Sequence, residues 1–175
     1  MTMKINTPIL LIGFMGAGKT TIGKALAKKY HYSFIDLDAY IEMTSKKTIP
    51  QIFEENGEQG FRKLEFHCLK EALLSYDLIA TGGGILTEDE TYQFIRDKKV
   101  SAIWLDAPFE KLYKRIQGDA NRPNANKKSF EFLNHLYSER VSRYNEIAFI
   151  KVSTAHSMEA TLSDIQDQML ANDQY

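Results

Sequence analysis

The chain has 175 residues, 43% hydrophobic and 26% charged, which suits a single domain with enough apolar material for a real core. Lys plus Arg at 22 nearly balances Asp plus Glu at 23, so no general field draws nucleic acid or an anionic membrane to it. Cys68 is the only cysteine and the four histidines lie far apart in sequence, so a reducing cytoplasm and no structural metal are expected.

Short apolar runs alternate with longer helical patterns, the signature of βαβ units and a largely parallel sheet. The apolar stretch from Ile9 to Ala17 is too short to span a bilayer and reads as a buried strand, Pro8 to Gly13, entering a loop. Ile22, Ala25, Leu26 and Tyr30 then recur at helical spacing. A second strand runs from Ser33 to Asp36, with a helix beginning near Leu37. Gly57 to Tyr76 predicts another helix, carrying Phe61, Leu64, Cys68 and Ala72 on one face. A third strand, Leu78 to Thr81, leads into Gly82-Gly83-Gly84. Thr87 and Glu90 have capping-box spacing before a helix towards Asp97. A fourth strand, Val100 to Leu105, precedes Pro108, which suits the first turn of a helix bearing Phe109, Leu112 and Ile116. Gly118 to Lys128 is aperiodic and polar, which predicts a mobile segment. Helices over Phe130 to Glu146 and Met158 to Ala171 flank a last strand, Ala148 to Val152.

Gly13-Phe14-Met15-Gly16-Ala17-Gly18-Lys19-Thr20 matches GxxxxGK[ST] between an apolar strand and an amphipathic helix. Glycines let backbone N–H groups turn towards phosphate oxygens, Lys19 reaches the β and γ phosphates, and Thr20 offers its hydroxyl to Mg²⁺. Lys19 is expected to be a solvated contact outside the core. A Mg-nucleoside triphosphate is therefore the expected ligand.

Three constellations bear on the phosphate acceptor. Asp36 and Asp38 close the second strand, where ligands of open parallel sheets bind; they read as metal and hydroxyl ligands, or as a helix cap and a first-turn charge, and capping and metal support are not exclusive. The glycine triplet allows close approach of a ligand, or is a plain turn. Arg62, Arg115, Arg122 and Arg140 suit carboxylate or phosphate, although singly each reads as a surface residue.

Together these residues resemble shikimate kinase from Ile9 to about Val152. The resemblance rests on the phosphate loop, Phe34-Ile35-Asp36-Leu37-Asp38, Ile49-Pro50 with Ile52-Phe53, Gly57-Glu58 with Phe61-Arg62 and Glu65, and Ala80-Thr81-Gly82-Gly83-Gly84. Asn121-Arg122-Pro123 and Arg140 with Tyr144 complete it. It implies a single α/β domain over residues 1–175 with the P-loop NTPase three-layer αβα fold, a five-stranded parallel sheet in order 2-3-1-4-5, a substrate-binding segment at about 37–64 and a lid at about 118–129. It also implies transfer of the γ-phosphate of ATP to the 3-hydroxyl of shikimate. Lys19, Asp38 and Arg122 would be catalytic. Gly16, Ala17, Gly18, Lys19, Thr20, Thr21, Arg115 and Arg122 would bind ATP, and Thr20 and Asp36 would hold Mg²⁺. Asp38, Arg62, Gly82, Gly83, Gly84 and Arg140 would bind shikimate. The implied partners are these small molecules, with no nucleic acid and no membrane, and the chain is read as a cytoplasmic monomer. Two stretches depart from the family pattern: Asn124-Ala125 follows Pro123 where an apolar pair is usual, and no proline follows Ser153-Thr154. A gluconate kinase, or a nucleotide-binding module without catalysis, is the alternative reading of the phosphate loop.

Overall fold

The computed structural model describes residues 6–120 and 125–172. Five strands form one parallel sheet: β1 (Ile9–Ile12), β2 (Phe34–Asp36), β3 (Leu78–Ala80), β4 (Ser101–Asp106) and β5 (Ile150–Ser153). Their order is β2-β3-β1-β4-β5, as the resemblance implies. Ile9 pairs with Leu78 on one side and Ser101 on the other, so β1 lies at the centre of the sheet. All four β1 residues are buried, the pattern of a strand covered on both faces.

Helices α1 (Lys19–Tyr30), α2 (Leu37–Ser45), α3 (Ile49–Ser75), α4 (Asp89–Asp97), α5 (Phe109–Gln117), α6 (Phe130–Ile147) and α7 (Met158–Asn172) connect and follow the strands. They lie on both sides of the sheet, with α1 against α7 and α6 against α4 and α5. The core runs through the sheet to helix residues such as Ile22, Leu69, Leu112 and Ile165, and Trp104 in β4 is 1% exposed. Cys68 is a buried free thiol, as its place on the apolar face of α3 suggests.

The helix expected from Gly57 begins earlier. Thr48 caps α3 by accepting from the Gln51 N–H at 3.3 Å while the Gln51 side chain accepts from the Thr48 N–H at 2.8 Å, a true capping box. Gly57 then interrupts the helix at φ 69°, a left-handed conformation that favours glycine, and the rod continues in a new direction. The capping box expected at Thr87 and Glu90 does not form. Glu88 precedes the first turn of α4 without a side-chain cap bond, and the Thr87 carbonyl instead accepts from Arg143 at 3.0 Å. Pro108 stands one residue before α5 and its carbonyl accepts from the Lys111 and Leu112 N–H groups.

Candidate active site

Since β1 is flanked by β3 on one side and β4 on the other, successive connections leave it in opposite directions and open a crevice beyond the carboxyl ends of the strands. A cavity of about 760 Å³ lies there. Gly16, Gly18, Lys19, Thr20 and Thr21 line it from the phosphate loop, Asp36, Asp38 and Glu42 from the β2–α2 junction, and Thr81, Gly82 and Gly83 from the end of β3. Arg115, Asp119 and Ala125 close the far side. Four stretches of chain distant in sequence therefore converge on one crevice.

The loop after β1 passes under β4 so closely that a Cβ on Gly13 would stand 2.3 Å from the Leu105 carbonyl oxygen. This contact lets the loop double back and start α1 at Lys19. Lys19 differs from its expected solvated state: it is 8% exposed, and its ammonium donates to the carbonyls of Gly13 at 2.6 Å and Phe14 at 2.9 Å. The loop curls around its own lysine because two inward-turned carbonyls need a donor and the buried ammonium needs acceptors. Ala17 contributes backbone only, for its side chain is buried in the core.

Thr20 donates its hydroxyl to Asp36 at 2.5 Å, and the other Asp36 oxygen accepts from the Ala39 N–H at 3.2 Å. One Asp36 oxygen thus caps α2, as one reading expects, while the other faces the phosphate loop. A hydroxyl and a carboxylate oxygen fit Mg²⁺, which prefers hard oxygen ligands and keeps waters and phosphate oxygens as the rest of its shell. Among the described residues no group of three or more His, Cys, Asp or Glu forms a protein-only metal cage.

The glycine triplet acts through space that side chains would fill. A Cβ on Gly82 would meet Asp38 Oδ1 at 3.3 Å and Glu65 Oε2 at 3.5 Å, and one on Gly83 would meet the Met15 N at 3.3 Å and Arg140 Nη1 at 3.4 Å. On Gly84 it would lie 2.3 Å from Arg62 Nη2. None of the three needs a positive φ, so their requirement is contact with Asp38, Arg140 and Arg62 rather than turn geometry. Arg62 and Arg140 lie against the triplet rather than among the residues lining the cavity, and both are partly buried, unlike solvated surface arginines.

Arg62 pairs with Glu65 one turn along α3 at 2.8 Å, with side chains 12% and 4% exposed. Burial raises the Glu65 carboxyl above its ordinary range; Arg62 and Arg140 oppose that rise and Asp38 adds to it. Arg140 rides on the face of Phe14, 5.6 Å from the ring centroid, and its burial lowers its pKa. Arg62 Nε and Arg140 Nε are both buried without a hydrogen-bond partner among the described residues. Glu65 is among the residues that carry the resemblance but has no site role there, although its i,i+3 relation to Arg62 is the signal for the pair.

Arg115 bridges the two ends of the donor side. It donates to the Gly16 carbonyl at 3.0 Å, the Thr154 hydroxyl at 3.2 Å and the Thr154 carbonyl at 2.6 Å. Arg122, and with it the centre of the expected lid, lies outside the described residues. Glu42 is an acid that the sequence reading missed; it accepts from the Ile49 N–H at 3.0 Å and ties α2 to the start of α3.

A family model described as shikimate kinase matches residues 15–170. A curated shikimate kinase of Staphylococcus aureus is 50% identical over 174 residues, 97% of this chain and 98% of that protein. Among solved structures, shikimate kinase from Acinetobacter baumannii in complex with shikimate superposes with a TM-score of 0.83 at 34% identity, covering 95% of this chain and 94% of that one. A gluconokinase from Sinorhizobium meliloti shares the fold, with a TM-score of 0.61 at 16% identity over 94% of this chain and 92% of that one.

Proposed function

The chain belongs to the shikimate kinase family, and from that premise we propose that it transfers the γ-phosphoryl group of ATP to the 3-hydroxyl of shikimate, a step towards chorismate and the aromatic amino acids. The observation that carries the reading is the junction at Gly82-Gly83-Gly84, where Asp38, Arg62 and Arg140 gather directly beside the phosphate loop. An acceptor with one carboxylate and several hydroxyls suits two arginines, one aspartate and a bared backbone.

In this reading the 3-hydroxyl oxygen attacks the γ-phosphorus, the bond to the bridging oxygen of ADP breaks, and the hydroxyl proton leaves towards Asp38. Asp38 orients that hydroxyl, and orientation contributes most because phosphoryl transfer is chiefly positioning and charge stabilisation. Arg62 and Arg140 grip the carboxylate, while Gly82, Gly83 and Gly84 let the ring lie against backbone. Lys19 exchanges its two loop carbonyls for phosphate oxygens, and Gly16, Ala17, Gly18 and Thr21 supply N–H donors beside it. Arg122 joins Lys19 in offsetting charge on the transferring group. Mg²⁺ held by Thr20 and Asp36 would supply neutralisation of the β and γ phosphates. Arg115 borders the adenine. The proposal extends to a cytoplasmic monomer, and a lone buried thiol suits a reducing compartment.

The test is an ADP-release assay with shikimate, shikimate methyl ester, gluconate or no acceptor. Turnover with shikimate alone, with the ester far poorer, is the expected result. Equal turnover with gluconate, or ADP release without acceptor, would overturn the acceptor assignment.

A further inference from the structure

Tyr144 has no role in the chemistry above, yet it touches both halves of the acceptor site. It is 1% exposed, one turn of α6 beyond Arg140, and its ring packs against Trp104 with centroids 5.8 Å apart. Its hydroxyl donates to the Gly83 carbonyl, and the charge of the Arg140 guanidinium acts on the same phenol. Gly83 in turn lies against Arg140, whose Nη1 would be 3.4 Å from a Cβ placed there. Arg140, the Tyr144 hydroxyl and Gly83 therefore cluster at one point, with the Phe14 ring 5.6 Å from the guanidinium.

We propose that Tyr144 is a positioning residue for acceptor recognition, holding the Arg140 fork and the Gly83 turn in the geometry that receives the substrate carboxylate. The inference rests on the reading that Arg140 binds that carboxylate. Arg140 has a long side chain, and a guanidinium that is not held in place loses rotamer freedom when its ligand arrives. The Tyr144 phenol, fixed by donating to the Gly83 carbonyl and packed on Trp104, stands beside the guanidinium and limits that freedom beforehand. Burial raises the Tyr144 pKa, so the phenol stays protonated and keeps donating to Gly83 throughout the neutral range.

Tyr144→Phe keeps the ring and its packing on Trp104 and removes only the hydroxyl. The KM for shikimate is expected to rise about tenfold, the scale of one lost hydrogen bond to a charged group, with kcat changed less than about threefold. The KM for shikimate methyl ester should hardly move, so the discrimination between acid and ester falls. In an Arg140→Lys background the same substitution should add less than about twofold, because its effect runs through Arg140. Wild-type discrimination in Tyr144→Phe, equal losses with acid and ester, or a full additional loss beside Arg140→Lys would each overturn the inference. A Tyr144→Phe chain that does not fold, judged by circular dichroism and thermal melting, overturns it too, since the hydroxyl would then be a requirement of the core. An unsubstituted chain that does not phosphorylate shikimate defeats the reading of the site and this inference together.

Discussion

Gly84→Ala separates the acceptor site from the stability of the fold. Gly84 does not adopt a positive φ, so alanine fits its backbone, and the loss of unfolded-state freedom favours the folded chain by about 0.4–1 kcal/mol. The new methyl meets Arg62 instead, at 2.3 Å from Nη2, 2.8 Å from Nη1 and 2.9 Å from Cζ. Ordinary contact begins at 3.4 Å, so the guanidinium must retreat by about 3.4 − 2.3 = 1.1 Å, away from the position that Glu65 holds at 2.8 Å. A displacement near 1 Å can cost up to about 10²-fold, and loss of one hydrogen bond between charged groups costs roughly 1.5–3 kcal/mol, or about 10- to 150-fold. Steady-state assay is expected to give a kcat/KM for shikimate reduced about 10- to 100-fold, the KM for ATP within about twofold, and a melting temperature essentially unchanged. A Gly84→Ala enzyme with normal shikimate kinetics would refute both the placement of Arg62 and the reason given for the third glycine. A large drop in melting temperature would show that the methyl disturbs the core rather than the arginine.

Other perturbations probe the remaining groups. Asp36→Asn should keep the α2 cap, since Asn caps as well as Asp, while raising the Mg²⁺ concentration for half-maximal rate roughly tenfold; a parallel loss of melting temperature would make Asp36 chiefly a cap. Lys19→Ala should lower kcat by about 10²-fold or more and destabilise by roughly 1 kcal/mol in chemical denaturation, because the Gly13 and Phe14 carbonyls lose their donor; near-normal turnover would remove the lysine from catalysis. Glu65 titrates above its ordinary 4.5 in the folded chain, so its contribution to stability is full below that pH and declines as pH rises through the shifted value. Thermal melts should therefore show wild type losing stability relative to Glu65→Gln as pH is raised from about 4 to 8, and a gap independent of pH would contradict the buried carboxyl.

Most of the scaffold is legible in the chain. Strands buried on both faces read as apolar runs, and the phosphate loop is a local motif whose residues need no distant partner to be recognised. The two false steps are also local. Thr87 and Glu90 have the spacing of a capping box, but the Thr87 carbonyl is drawn to Arg143 on α6 and the helix starts later. Thr48 and Gln51 carry the same signal with Pro50 beside it, and there the box forms. What lay beyond the sequence was the third dimension. The resemblance groups Arg62, Gly84 and Arg140 at one site, but residue type and periodicity alone do not show that two helices and a strand end bring them and Tyr144 together, and burial is what distinguishes these arginines from solvated ones. The Lys19 ammonium was misjudged for the same reason, since its acceptors are carbonyls of a loop whose curl is not written in residue type.

The hydrogen bonding between β1 and β3 carries a consequence for how such an enzyme can change. Leu11 pairs with Ala80, and Thr81 binds the Leu11 carbonyl through its N–H at 3.1 Å and its hydroxyl at 2.8 Å. The loop that holds the donor leaves one strand, the glycines that border the acceptor leave its immediate neighbour, and adjacent strands stand about 4.8 Å apart whatever side chains they bear. On the proposed reading, the separation of the two substrates is set by backbone pairing in the middle of the sheet, while the identity of the acceptor is read by side chains on α3 and α6 at its periphery. Substitutions there can exchange one hydroxyl compound for another across evolutionary time and leave the distance over which phosphorus must travel untouched.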